Sequence, residues 1–315
     1  MSEQNDVQGW SSENQRQVEG TDPLERQTEA HRHVSHQGRG GAGVPQGGRQ
    51  DALAGLRKWR LERDDISDPG GRVYRDKAGT VYHSVTRILS ATAPEHQQKA
   101  LQRWLERPDS ERDRAMAAER GTQAHNHAEY ILKTARKLAA NAANKRGAYR
   151  EGCDGLERPP SAITAWALQK AIQGAPRPAW SASGFARGLR HWIEANVTAI
   201  HAVEFSIHHP AGFAGTADGL FDIQGTLCIC DWKTTKKSIH GDMSATLEGY
   251  KAQAGAYSLG LTHLTGIVAP SAAIVVARRT GAPSVTLLGE AELRRAEDDF
   301  LERVGRYFLA INPPY

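Results

Sequence analysis

The sequence predicts an α/β chain with a central mixed sheet flanked by helices, and three features carry that prediction. Apolar residues alternate at Val203, Phe205 and Ile207, and Phe213 to Ile223 and Thr226 to Trp232 read as two buried strands around a Gln224-Gly225 turn. Upstream, helical periodicity runs over Glu95 to Glu106 and Arg112 to Lys137, then near Ser161 to Ile172 and Gly184 to Val197. Downstream, a helix over Thr246 to Leu261, strands over Gly266 to Ala277 and Ser284 to Leu288, and a closing helix over Glu290 to Ile311 extend the sheet and cover it.

The amino-terminal portion reads differently. Its first fifty residues are Gln, Glu, Ser, Gly and Arg with scattered apolar positions, a composition that does not offset the entropy of ordering. Residues 1–65 are therefore expected as a tail and linker, and 66–315 as the folded domain. Leu53, Leu56, Trp59 and Leu61 suggest one short helix within the linker. From Arg72, Val73-Tyr74 and Val81-Tyr82 around an Asp76-to-Gly79 turn predict a hairpin that leads through Ser84-Val85-Thr86 into Ile88-Leu89. Gly121-Thr122 inside the long helical stretch suggests a fresh helix start capped by Thr122, and Asn141 to Pro160 reads as a loop.

Composition bounds the function without choosing it. Over 315 residues, 40 Lys and Arg against 36 Asp and Glu give a formal charge of +4, which permits a nucleic-acid partner but does not argue for one. No apolar run approaches the roughly 18 residues of a membrane span, and Met1-Ser2-Glu3-Gln4 lacks a secretory pattern. The acids Glu3, Asp6, Glu13, Glu19 and Asp22 disfavour an organelle transit peptide, so the expected location is the cytoplasm of a bacterial or phage-infected cell. The three cysteines, Cys153, Cys228 and Cys230, lack the spacing of a zinc or iron–sulfur site, and the last two read as apolar strand residues.

One constellation carries chemistry. Asp218 lies in Gly215-Thr216-Ala217-Asp218-Gly219, and thirteen residues later Asp231-Trp232-Lys233 ends the partner strand. Residues two apart on a strand share a face, so Asp231 and Lys233 point together while Trp232 points away, and the hairpin returns Asp231 toward Asp218. Two carboxylates buried side by side repel unless a cation sits between them. A divalent ion removes that repulsion and serves phosphodiester hydrolysis.

Asp218 followed by Asp231-x-Lys233 resembles the signature of the PD-(D/E)XK nuclease superfamily, with Ala-Asp in place of Pro-Asp as in its RecB-like members. Gly121-Thr122-x-x-His125-x-x-x-Glu129 resembles the helical G-x-x-x-H motif of that group, and Tyr250-x-x-Gln253-x-x-x-Tyr257 its Q-x-x-x-Y motif. Ser84-Val85-Thr86 and Asp231 to Lys237 resemble the mitochondrial genome-maintenance exonuclease branch and its phage relatives. The resemblance covers roughly residues 72 to 310 and implies a restriction-endonuclease-like core. It also implies a Mg²⁺- or Mn²⁺-dependent DNA exonuclease acting on single-stranded or free-ended DNA in recombination, repair, replication or phage genome processing, with a replication or recombination protein as a candidate partner. By the same resemblance His125, Asp218, Asp231 and the main-chain carbonyl of Trp232 hold the metal, Lys233 assists catalysis, and Gln253 with Tyr257 supports the DNA and the site.

Other residues are weighed beside these. Glu129 and Glu204 are candidate additional acids, Asp222 reads as a solvated acid near the turn, and His127 as structural. Lys236 and Lys237, with His240 and Arg278-Arg279, are placed to contact phosphates. Trp104, Trp166, Trp180 and Trp192 are stacking platforms or core residues. A structure-specific endonuclease, a non-catalytic DNA-binding module and an RNA-processing enzyme are the alternatives.

Overall fold

In a computed structural model the described residues are 53, 56, 61–65, 71–149, 160–236 and 244–312, all within the unit Ala42–Tyr315. The expected tail over residues 1–50, Cys153, Lys237 and His240 lie outside them. The elements in chain order are β1 (Glu62–Asp64), β2 (Val73–Arg75), β3 (Val81–Ser84), α1 (Val85–Ala91), α2 (Glu95–Leu105), α3 (Ser110–Tyr149), α4 (Pro160–Gln173) and α5 (Ser183–Asn196). There follow β4 (Val197–His209), β5 (Phe213–Ile223), β6 (Thr226–Thr235), α6 (Ser244–Thr265), β7 (Ser271–Arg278), β8 (Ser284–Leu288) and α7 (Glu290–Ile311).

The strands form one mixed sheet in the order β1-β2-β3-β5-β6-β7-β8, with β4 paired along β5. The first residues of β5 pair in parallel with β3, and its far end pairs antiparallel with β6 through a Gln224-Gly225 turn. Both turn residues have positive φ, 50° and 84°, the conformation that lets a two-residue hairpin follow the twist of its strands. Strand β6 then pairs in parallel with β7, and α6 makes the crossover that a parallel connection requires.

Alternation along the central strands fills two cores. Leu220, Ile229 and Ile274 enter one core with Phe213, Tyr257 and Phe300, whereas Phe221, Cys230 and Val275 enter the other with Ile131, Leu189 and Trp232. Helices α6 and α7 therefore cover one face, and α3, α4 and α5 the other. Cys228 and Cys230 are core residues, as expected.

Several boundaries differ from the sequence expectations. Helix α3 runs unbroken for 40 residues, so Gly121-Thr122 is no helix start. A Cβ at Gly121 would lie 3.3 Å from Thr234 Oγ1, so the glycine serves the close approach of α3 to β6. The helix also continues into the expected loop, because Ala139-Ala140-Asn141-Ala142-Ala143 is rich in the best helix former. At the other end, Leu53 and Leu56 are buried in the α6-side core and β1 pairs with β2, so the folded domain begins before the expected boundary at residue 65. The short polar strand Glu62-Arg63-Asp64 is an exposed edge, which buries too little apolar surface to announce itself by pattern.

Candidate active site

The site lies where two paired strands part. Strands β5 and β6 remain in register down to Gly219↔Cys230, and the next residues on each strand are Asp218 and Asp231. There Asp218 Oδ2 accepts the Trp232 amide N–H at 2.5 Å, so a side-chain carboxylate takes the place of a ladder carbonyl. Alternation puts Asp231 and Lys233 on the α6 side and drives the Trp232 ring into the opposite core, 5.9 Å from Phe221 and 5.4 Å from Trp192. Lys233 Nζ pairs with Asp231 Oδ2 at 2.6 Å and stands 5.1 Å over the Tyr250 ring.

Neighbouring elements complete the cluster. From α3, His125 Nδ1 lies 3.4 Å from Asp218 Oδ1. On β4, the register Val203↔Gly219 and Phe205↔Ala217 sets Glu204 opposite Asp218, with its backbone at a φ of 50°. From α6, the buried Gln253 Nε2 donates to Tyr257 Oη at 2.6 Å. A Cβ at Gly215 would come within 2.9 Å of the Tyr257 ring, so glycine there admits the tyrosine. These groups line a cavity of about 240 Å³, together with Arg63, Arg72, Tyr74 and Thr216.

The electrostatics follow from burial and crowding. Burial raises the Glu204 carboxyl to about 8, helped by the charges of Asp218 and Glu129. Burial also raises Asp231, against the pull of Lys233. For Asp218 burial acts upward too, but the His125 hydrogen bond and charge, with Lys233, hold it below the ordinary carboxylate value. Burial alone would lower His125 and Lys233; Asp218 outweighs it at the histidine, and Asp231 with Asp218 outweighs it at the lysine, so both are raised. Lys233 is therefore an ammonium at neutral pH. Three carboxylates and an imidazole are donors that Mg²⁺ or Mn²⁺ accept, and at Glu204 the charges of Asp218 and Glu129 add to the effect of burial. As they stand, no three His, Cys, Asp or Glu side chains among the described residues form a closed metal cage. Asp218 is turned to His125 and Trp232, and Asp231 to Lys233.

Glu204 gives a pH-dependent prediction. Its folded pKa is raised above the ordinary 4.5, so the folded state favours the protonated form and stability is lost as pH rises through about 8. Glu204→Gln removes that loss. At about 1.4 kcal/mol per unit, less screening by the water that still reaches the side chain, the variant should gain on the order of 2 kcal/mol over wild type at high pH and nothing in mild acid. Urea melts in EDTA at both ends of the range check this, and a difference independent of pH would contradict it.

His125, Glu204, Asp218, Asp231, Lys233, Gln253 and Tyr257 are thus brought together. Glu129 is not among the lining residues and pairs with Lys133, although its charge reaches Glu204. Lys236 lines a separate groove. Asp222 is no solvated acid, since its side chain is largely buried and its Oδ1 lies 2.9 Å from His201 Nε2. Trp192 is a core residue, whereas Trp180 is 83% exposed. Arg63, Arg72 and Tyr74 were not singled out by sequence, because only the edge hairpin brings them to the cavity. Asp65 pairs with both arginines there, at 2.9 Å to Arg63 and 2.5 Å to Arg72.

The model of the PD-(D/E)XK nuclease superfamily matches residues 100–308, which include the whole β5–β6 fork, His125 and the Gln253–Tyr257 pair. The chain belongs to this superfamily. Superfamily membership makes it a nuclease, a hydrolase of phosphodiester bonds, in a class that generally uses divalent metal ions. Mitochondrial genome maintenance exonuclease 1 of Homo sapiens is 24% identical over 237 residues, covering 74% of this chain and 60% of the human protein. The Mus musculus protein of the same name is 27% identical over 155 residues, 49% of this chain and 37% of its own. The chain therefore spans less than two thirds of these relatives. A solved protein of Eubacterium rectale aligns over 60% of this chain and 84% of its own, with 14% identity and a TM-score of 0.32.

Proposed function

We propose that this nuclease is a Mg²⁺- or Mn²⁺-dependent DNA exonuclease that acts on single-stranded or free-ended DNA. The observation that carries the reading is the strand fork itself, which crowds Asp218, Asp231 and Glu204 against His125 and Lys233 in one cavity. The name of the human and mouse relatives supports the exonuclease form. His125, Asp218, Asp231 and the main-chain carbonyl of Trp232 would hold the cation, with Glu204 as a further acid. When bound, such a cation polarises a phosphoryl oxygen and lowers the pKa of water.

The chain's own groups supply the rest. Lys233 is held as an ammonium by Asp231 and Asp218, so it stabilises charge growing on the phosphate and does not serve as a neutral base. Tyr250 beneath it limits where the ammonium can move. The Trp232 amide fixes Asp218, and the Gln253–Tyr257 pair braces the cavity from α6. The attack by water is in line, without a covalent enzyme intermediate, and no serine or cysteine nucleophile is required. Recombination, repair, replication and phage genome processing all use this activity. No helix among the described residues is long and apolar enough to cross a membrane.

Strand topology tests the exonuclease form. Linear single-stranded DNA labelled at either end should shorten from an end in Mg²⁺ or Mn²⁺, while a closed circle of the same sequence stays intact. Cutting of the circle at a comparable rate would replace the exonuclease with an endonuclease.

A further inference from the structure

A second groove, of about 400 Å³, opens beside the catalytic cavity and is lined by Arg120, Trp180, Arg187, Lys236 and Arg279, with Glu119 as its acid. We propose that it seats an unpaired nucleotide of the DNA strand, the phosphate on Arg120 and the base against Trp180. This rests on the DNA-nuclease reading and extends it to a specific subsite.

Two independent observations point to a ligand. Arg120 is only 8% exposed, yet its Nε is buried without a hydrogen-bond partner, and its guanidinium lies 5.2 Å over the Phe185 ring. Arg120 is thus a largely buried cation at the wall of the groove, and an anion seated there would meet a guanidinium already stripped of most of its water. Trp180, by contrast, is 83% exposed, and Arg279 stands 5.8 Å over its ring. An aromatic held open to water beside a guanidinium is a platform on which any base can stack.

Position ties the groove to the chemistry. Lys236 follows Lys233 by three residues, about 10 Å at the ~3.3 Å rise of a strand. Trp232 and Thr234 alternate onto the α3 side of β6, where Gly121 approaches Thr234 and Arg120 is the adjoining residue of α3. The exposed cations Arg187, Lys236 and Arg279 outnumber the single acid, so a phosphate backbone leaving the cavity past the end of β6 meets positive charge. A base still stacked in a duplex cannot lie on Trp180, so the subsite selects an unpaired strand.

Binding to the full chain tests this, in Ca²⁺ to suppress cleavage, with fluorescent oligothymidylate and an abasic phosphodiester strand of equal length as probes. Trp180→Ala should weaken oligothymidylate binding about tenfold and leave the abasic strand unaffected, with Trp180→Phe restoring most of the loss. Arg187→Gln, a surface change, should weaken both strands. If Trp180→Ala binds both like wild type, or loses both equally, the base subsite is overturned, while cleavage by wild type in Mg²⁺ leaves the nuclease reading standing. If wild type neither binds nor cuts, both fall.

Discussion

Lys233→Ala is expected to slow DNA cleavage by about 10²- to 10³-fold, the cost of removing a positioned charge from a site where negative charge develops. The lysine is suited to that role because Asp231 and Asp218 hold it charged against its burial, and Tyr250 carries it on its ring. The same change strands Asp231, which is 3% exposed and would lose its ammonium partner. Breaking a buried pair from one side costs about 3 kcal/mol, so the variant should melt earlier as well as cut more slowly. Those effects separate by pH. The abandoned carboxyl takes up a proton as pH falls, so the stability deficit shrinks toward acid while the catalytic deficit stays. Urea melts and single-turnover cleavage across pH measure the two; an activity loss that tracks the melt would make Lys233 structural.

Asp218→Asn should have the second large effect. The carboxamide oxygen can still accept the Trp232 amide N–H, so the fork should fold as before. What disappears is the negative charge on which the metal reading depends. A cation supplies several kcal/mol to a phosphoryl transition state, so its loss corresponds to about 10³-fold in rate. Removing that charge also relieves Glu204, whose carboxyl should fall from about 8 toward the ordinary range. Wild type should melt at higher temperature as Mn²⁺ is added, by the usual linkage of binding to stability, and the variant should show little of that gain. An unchanged Mn²⁺ response would remove Asp218 from the metal set.

The parts of this site that were legible in sequence are those fixed by strand arithmetic. A two-residue turn and strict alternation are enough to bring Asp218 to Asp231 and to turn Lys233 with it. His125, Gln253 and Tyr257 were legible through helical spacing combined with a family motif; periodicity alone gives a face, not a neighbour. Glu204 showed only as a polar position on a strand, and its place opposite Asp218 depends on the β4–β5 register. Less legible were features set by tertiary contact. Gly121 looks like a helix boundary because glycine disfavours helices, yet it lies within one where α3 approaches β6. Arg63 lies on the short polar strand β1 and Arg72 just before β2, and their place at the cavity depends on β1 pairing with β2 and β3 with β5, which no local pattern of the two arginines announces. Arg120 is an ordinary helix cation in sequence; only its burial beside the exposed Trp180 singles it out.

The most direct test of the central claim is cleavage of end-labelled single-stranded DNA by wild type and Asp218→Asn in Mg²⁺, in Mn²⁺ and in EDTA. The strand fork predicts that wild type removes the label in either metal, that EDTA stops it, and that folded Asp218→Asn does not cut above background. Cleavage by wild type that survives EDTA, or cleavage by Asp218→Asn at the wild-type rate, would contradict a metal-dependent nuclease centred on Asp218, Asp231 and Lys233.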